Sequence, residues 1–178
     1  MHVLAQNIAM SEQPYDVLLV QEPWWNGSIT TSFQGWQVIL PTPTVRENEC
    51  PRVTVYYRLG AGIDITLRLD ISTDLDFMIL DVKHEGSKHP PTRVINIYNQ
   101  TELGESQEPD YTTDRLASIH LHLGLPMIIT GDWNLHHNLW DSMVAAESTP
   151  TRTQEVVDWL EGQSFTLCSE KDVLNRTW

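Results

Sequence analysis

Short, unbroken apolar runs, each cut off by a polar or conformationally special residue, constrain what this chain can fold into. Val17-Leu18-Leu19-Val20 stops at Gln21-Glu22-Pro23-Trp24, and Met127-Ile128-Ile129-Thr130 stops at Gly131-Asp132-Trp133-Asn134. Continuous apolarity over so few residues marks strands buried on both faces. Between these two, Arg52 to Tyr57, Ile63 to Leu69, Phe77 to Lys83 and Arg93 to Tyr98 read as further strands, and Trp36 to Leu40 as a shorter one. Gly60 and Gly62 separate the first pair, and a connection that short favours antiparallel pairing.

Helical spacing is confined to three places. Met1, Leu4, Ala5 and Ile8 fall on one helical face at the N-terminus. Thr112 or Thr113 is placed to cap a helix that turns Leu116, Ile119 and Leu123 inward and stops at Gly124. Thr151 and Gln154 have capping-box spacing, ahead of a helix using Val156, Val157 and Leu160 and ending near Gly162. Phe165 to Cys168 reads as a last short strand. Strands outnumber helices and cluster in mid-chain, so the expected class is mixed α/β with the sheets inside. At 178 residues and 40% hydrophobic, the chain can bury one domain-sized core.

Charge narrows the partners. Eleven basic residues against 24 acidic ones give a net charge of −13, which excludes attraction of the whole surface to nucleic acid. Contact with nucleic acid would need a local basic patch or bridging metal ions. The two cysteines, Cys50 and Cys168, make no close-spaced metal motif, and such low usage fits a reducing compartment. No apolar run approaches the ~18 residues of a membrane span, and no secretory signal is visible, so no membrane partner is expected and an intracellular location is.

The strand ends carry the chemistry. Glu22 follows a strand and is stiffened by Pro23. A single carboxylate so placed suits Mg²⁺, which takes hard oxygen ligands and keeps several waters; a solvated loop Glu is the alternative. Asp132 and Asn134 follow Gly131, a turn-permitting residue. Asp132 there can orient or deprotonate a water, and the Asn134 carboxamide can donate to charge developing on a phosphate oxygen; an Asx-turn that ends the strand is the alternative. Tyr98 ends another strand, where its phenol either meets phosphate or packs. His136 and His137 are adjacent and point apart, so they read as loop structure beside Leu135, Leu139 and Trp140.

Three segments together, Val-Leu-Leu-Val-Gln-Glu-Pro-Trp-Trp (17–25), Val-Ile-Asn-Ile-Tyr-Asn (94–99) and Ile-Ile-Thr-Gly-Asp-Trp-Asn-Leu-His-His-Asn-Leu-Trp (128–140), resemble the endonuclease/exonuclease/phosphatase superfamily. The likeness is strongest to the endonuclease domains of non-LTR retrotransposons of the fungal type. The resemblance implies a four-layer α/β sandwich, two mixed sheets face to face with helices outside. It implies Mg²⁺, with Mn²⁺ the alternative, and hydrolysis of phosphodiesters in DNA, in the nucleus. It gives Glu22 the metal, Tyr98 the phosphate, Asp132 the attacking water and Asn134 the place beside it. Trp133 stands where the family more often has Phe.

The chain departs from that family in two places. The family opens with a strand bearing an Asn near the metal, but Asn7 precedes Glu22 too closely to leave room for both that strand and a helix. The family also ends in a Ser-Asp-His run, which occurs nowhere in this sequence. The expectation is one domain lacking its first and last strands, with weak or no activity. Two rival readings are a non-catalytic module that keeps the fold, and a phosphatase acting on small molecules or lipid headgroups.

Overall fold

The continuous apolar runs form the strands they predict. The structure, a computed structural model, describes residues 15–25, 32–33, 35–43, 49–100, 111–121 and 124–169. The helix expected over Met1 to Ile8, and Asn7 with it, lies outside the described residues. The chain divides into two compact units, residues 1–133 and 134–178.

In the first unit the strands are β1 (Val17–Gln21), β2 (Ser32–Phe33), β3 (Trp36–Ile39), β4 (Val53–Arg58), β5 (Ile63–Leu67), β6 (Phe77–His84), β7 (Thr92–Tyr98) and β8 (Met127–Asp132). They make two four-stranded sheets, in the orders β1-β4-β3-β2 and β5-β6-β7-β8. The α/β sandwich expected from the sequence is therefore present, with one correction. Only the second sheet is mixed, through the parallel pair β7–β8; every described pairing in the first is antiparallel. Parallel neighbours need a long crossover, and here the segment between β7 and β8 supplies it, carrying helix α1 (Thr112–Ala117).

The sheets face each other through one apolar cluster. Val53 and Val55 of β4 meet Met78 and Leu80 of β6 and Tyr98 of β7, with Val17, Leu19, Ile39, Ile65, Leu67 and Val82 at its margin. The outer face of the first sheet gathers Trp36 and Tyr56 with Leu18, Val20, Trp25, Val38 and Leu40. The outer face of the second carries Phe77, Ile79, Ile95 and Ile97, all at most 2% exposed. Strand β1 is half-buried along its length rather than fully buried, as befits the last described strand of its sheet.

A buried polar side chain ties the two sheets together. Asn96 of β7 is fully buried and points at the first sheet. Its Oδ1 accepts from Gln21 Nε2 at 2.5 Å, and its Nδ2 donates to Thr54 O at 3.2 Å and Val20 O at 3.4 Å. Each such bond contributes about 1 kcal/mol, and an orphaned buried group costs about 1–3 kcal/mol. Further along the second sheet, Arg93, 1% exposed, donates to Asp81 at 2.8 and 3.0 Å. Arg68 reaches the same carboxylate at 2.5 Å and also holds Asp70.

Helix α1 is shorter than its spacing predicts. It ends at Ala117, where Ser118 turns its hydroxyl back onto Arg115 O at 2.7 Å. Neither threonine caps it: Tyr111 is the N-cap residue, and the Thr112 hydroxyl is directed to Asp76 at 3.4 Å instead. Leu116 is buried as expected. Arg115 fixes the helix to the sheet edge, donating to Asp74 at 2.7 Å and Asp76 at 2.5 Å.

In the second unit, helix α2 spans Thr151–Gly162 and buries Thr153, Val156 and Val157. The capping box does not form. Pro150 is the N-cap residue, and Gln154 is committed to His137 and Asp158. Residues 165–168 are not a strand. Ser164 is left-handed (φ 63) and Phe165 N–H closes the helix onto Leu160 O at 3.0 Å. That is a Schellman-type ending, so the chain there finishes the helix and pairs with no described strand.

Candidate active site

Antiparallel pairing brings the end of one strand to the start of its neighbour. Gln21 at the end of β1 lies opposite Val53 at the start of β4. Phe77 at the start of β6 lies opposite Ile97, and Tyr98 at the end of β7 is level with Asp132 at the end of β8. The Gln21–Asn96 bond holds the two sheets in step at this end. Glu22, Arg52, Asp76, Tyr98 and Asp132 thus stand on one rim of the sandwich.

Glu22 extends the β1–β4 ladder by one step, its N–H donating to Arg52 O at 2.7 Å. Its backbone is left-handed, with φ 46. That is uncommon for a residue with a Cβ and holds only where the surroundings over-determine it, a situation that clusters at functional sites. The side chain is 58% exposed, and Oε1 accepts from Arg52 Nη2 at 2.7 Å. The Arg52 guanidinium in turn lies over the Tyr98 ring, 4.3 Å from its centroid. Burial disfavours the Arg52 charge, but Tyr98 and Glu22 outweigh it and push its pKa up.

Tyr98 is mostly buried, with its ring in the inter-sheet cluster. Burial first, and then hydrogen bonding with the Glu22 carboxylate, push its phenol up, so it stays a neutral donor at physiological pH. Its N–H donates to Asp76 O at 2.8 Å. The Asp76 carboxyl, behind it, is raised by burial and by the neighbouring Asp74, against the pull of Arg115.

Asp132 is not in a turn, as its position after Gly131 suggested. β8 runs through Gly131 and ends at Asp132, which shares a face with Tyr98 in the parallel register. Gly131 has φ 140, and a Cβ built on it would overlap the carbonyl oxygen of Ile97. The glycine is there to let two backbones approach, a role also seen where Gly interrupts strands generally. Asn99 secures the exit from the strand: its N–H donates to Asp132 O and its Nδ2 to Trp133 O, both at 2.8 Å.

Asn134 opens the second unit and is exposed, with φ 48. With Glu22 and Ser164 it completes the described non-glycine residues at positive φ, so two of the three are residues singled out from the sequence. Beyond it the loop is internally bonded. Leu139 N–H donates to His137 Nδ1 at 3.0 Å, so that nitrogen carries no proton and Nε2–H donates to Gln154 Oε1 at 3.1 Å. Trp140 packs on His137, ring centroids 5.1 Å apart, and donates to Leu135 O at 3.1 Å. His137 is buried structure, as expected, and His136 lies 79% exposed beside Asp141.

The structure therefore brings Glu22, Tyr98 and Asp132 to one rim, and shows Asn134 only within its own unit. Sequence reasoning missed Arg52, Asn96 and Asn99. Asn96 and Asn99 lie inside a motif already noticed, and an Asn in the middle of an otherwise apolar strand is a legible sign of a buried bond. Arg52 carries no local signal; only the β1–β4 register reveals it. Among the described residues no group of three or more His, Cys, Asp or Glu gathers as a metal cage. Cys50 and Cys168 are free and exposed. No helix among the described residues is long and apolar enough to cross a membrane.

Comparison with known proteins gives one family. Residues 92–178 match a family model described as endonuclease-reverse transcriptase. No curated protein and no solved structure matches. The matched stretch, residues 92–178, holds Tyr98, Asp132 and Asn134, and its similarity to that family supports the likeness to the endonuclease/exonuclease/phosphatase superfamily of the retrotransposon type.

Proposed function

We propose that this domain is a Mg²⁺-dependent phosphodiester hydrolase that nicks DNA, with Glu22 holding the metal. The observation that carries the reading is the convergence of Glu22, Tyr98 and Asp132 from three strand ends onto one rim, with Glu22 bonded to a guanidinium that covers Tyr98.

The donor set fits the ion. Mg²⁺ needs one or two carboxylates and otherwise retains water, and the Glu22 carboxylate is more than half exposed on a strained, well-fixed backbone. Mn²⁺ would be accepted by the same oxygen ligands. Bound there, the ion would supply charge stabilisation to a phosphate oxygen. The neutral phenol of Tyr98 donates to a second phosphate oxygen. Asp132 orients the attacking water and takes its proton, its backbone held in place by Asn99. Asn134 is assigned a donor role toward the phosphate. A retroelement protein with this activity would work on chromosomal DNA, hence in the nucleus.

Plasmid nicking with Mg²⁺ tests the proposal. Nicking by these 178 residues is expected to be slow, since the family's Ser-Asp-His run is not among them. It should vanish in Asp132→Ala and in Glu22→Ala. Nicking that survives Asp132→Ala would refute the assignment. The absence of both nicking and Glu22-dependent Mg²⁺ binding would leave the fold as a non-catalytic module.

A further inference from the structure

Two described arginines of the first unit stand on the active rim, and they differ in what they are committed to. Arg115 is engaged by both Asp74 and Asp76. Arg52 makes one ion pair, through one nitrogen, to a Glu22 that is itself more than half exposed. The rest of Arg52 is immobilised. Its N–H donates to Leu75 O at 2.8 Å, its carbonyl accepts from Glu22 N–H, and its guanidinium carbon lies over the Tyr98 ring, 4.3 Å from the centroid, within cation–π range. The side chain is nonetheless 31% exposed. It is a pre-oriented planar fork of five donors, with most of them unspent.

Its neighbourhood gives that fork a purpose. Glu22, Asp76 and Asp132 share the rim, in a chain of net charge −13. A phosphate approaching such a surface is repelled unless a fixed cation receives it. Arginine matches phosphate in shape as well as charge. The carboxylate that pairs with Arg52 is also the one the hydrolase reading gives to a divalent cation, so the two cations claim one ligand.

We propose that Arg52 is the phosphate-binding cation of this rim, and that it and a divalent metal ion compete for Glu22. The guanidinium neutralises Glu22 while no metal is present. A metal ion arriving at Glu22 releases that N–H group, which turns to the phosphate. The metal half of this rests on the hydrolase reading above, whereas the anion half stands on the Arg52 geometry alone.

Calorimetry on the full chain separates the halves. In EDTA, inorganic phosphate is titrated into wild type, Glu22→Gln and Arg52→Met. Freeing the guanidinium in Glu22→Gln should tighten phosphate binding about two- to fivefold, the worth of an exposed ion pair. Arg52→Met should weaken it about tenfold, as expected for loss of a charge-assisted bond. Mg²⁺ alone is then titrated into wild type and Arg52→Met. Removing the competitor should tighten Mg²⁺ about two- to fivefold, while a merely structural Arg52 would loosen both ligands. Arg52→Lys keeps the charge without the planar fork, and should fall between wild type and Arg52→Met for phosphate. Phosphate affinity unchanged in Arg52→Met overturns the anion assignment, and weaker Mg²⁺ binding in that variant overturns the competition. Mg²⁺ binding to neither protein sinks the hydrolase reading and the competition together, and the EDTA titrations still decide whether Arg52 takes phosphate.

Discussion

Replacing Gly131 with alanine should loosen the rim without touching any candidate catalytic side chain. At φ 140 the backbone sits where L-residues rarely go, a setting that costs about 1–3 kcal/mol. The added methyl group would also overlap backbone atoms of Ile97, not a side chain that can swing away. Relief requires β7 and β8 to part at the step before Tyr98 and Asp132, an overpacking cost of about 1–3 kcal/mol. Alanine stiffens the unfolded chain and recovers roughly 0.4–1 kcal/mol. The net loss is about 1–6 kcal/mol, a sizeable part of the roughly 5–15 kcal/mol that holds a domain together. Urea unfolding followed by tryptophan fluorescence should move its midpoint down by about 0.3 M or more, given slopes of about 1–3 kcal/mol per M. Gly86→Ala is the control. Its φ is 70, yet nothing lies within 4 Å of an added Cβ, so only the conformational cost applies. Equal losses in the two variants, or a Gly131→Ala midpoint within about 0.2 M of wild type, would refute the close approach of β7 and β8.

Three further outcomes are expected. Asn96→Leu removes the donor and acceptor that serve Gln21, Val20 and Thr54, and should cost about 2–4 kcal/mol by urea unfolding; a neutral effect would mean those groups find other partners. Burial works against the Asp81 charge, yet Arg93 and Arg68 outweigh it and hold the carboxyl below its ordinary 3.8, while Arg68 holds Asp70 to about 2. A folded value below the unfolded one stabilises above pH 3.8, and that stability is lost as pH falls through the lowered value, so Asp81→Asn should flatten the acid limb of a stability–pH curve while costing about 3–5 kcal/mol at neutral pH by stranding Arg93. Arg115→Met leaves Asp74 and Asp76 facing each other and unties α1, so amide exchange should quicken in 112–117 ahead of β6 and β7; protection unchanged there would show that the ion pairs do not anchor the helix.

Where the sequence was legible, burial made it so. β4, β6 and β7 have to be apolar because they are covered on both faces, and their limits fall within a residue or two of the apolar runs. β2 escaped notice because two residues carry no period. Elements whose ends are decided by side-chain competition were misjudged. Thr112 and Gln154 look like caps, but each found a better partner far along the chain, Asp76 and His137. The same logic applies to the rim. Glu22, Tyr98 and Asp132 were visible as polar residues at the tips of apolar runs. Arg52 was not, because its pairing is written thirty positions away in the β1–β4 register, and no local pattern encodes a register.

The inter-sheet asparagine bears on how such a domain can be dissected. The segment recognised by family comparison starts at residue 92, four positions before Asn96, yet every acceptor and donor that Asn96 satisfies comes from residues 20–54. Cutting the chain at the recognised boundary would leave a buried carboxamide with nothing to bond and strip Val53, Val55, Met78 and Leu80 from around Tyr98. A truncated piece would then be a poor folder however clear its family likeness. For expression and for genome curation alike, the smallest unit worth isolating begins upstream of Val17.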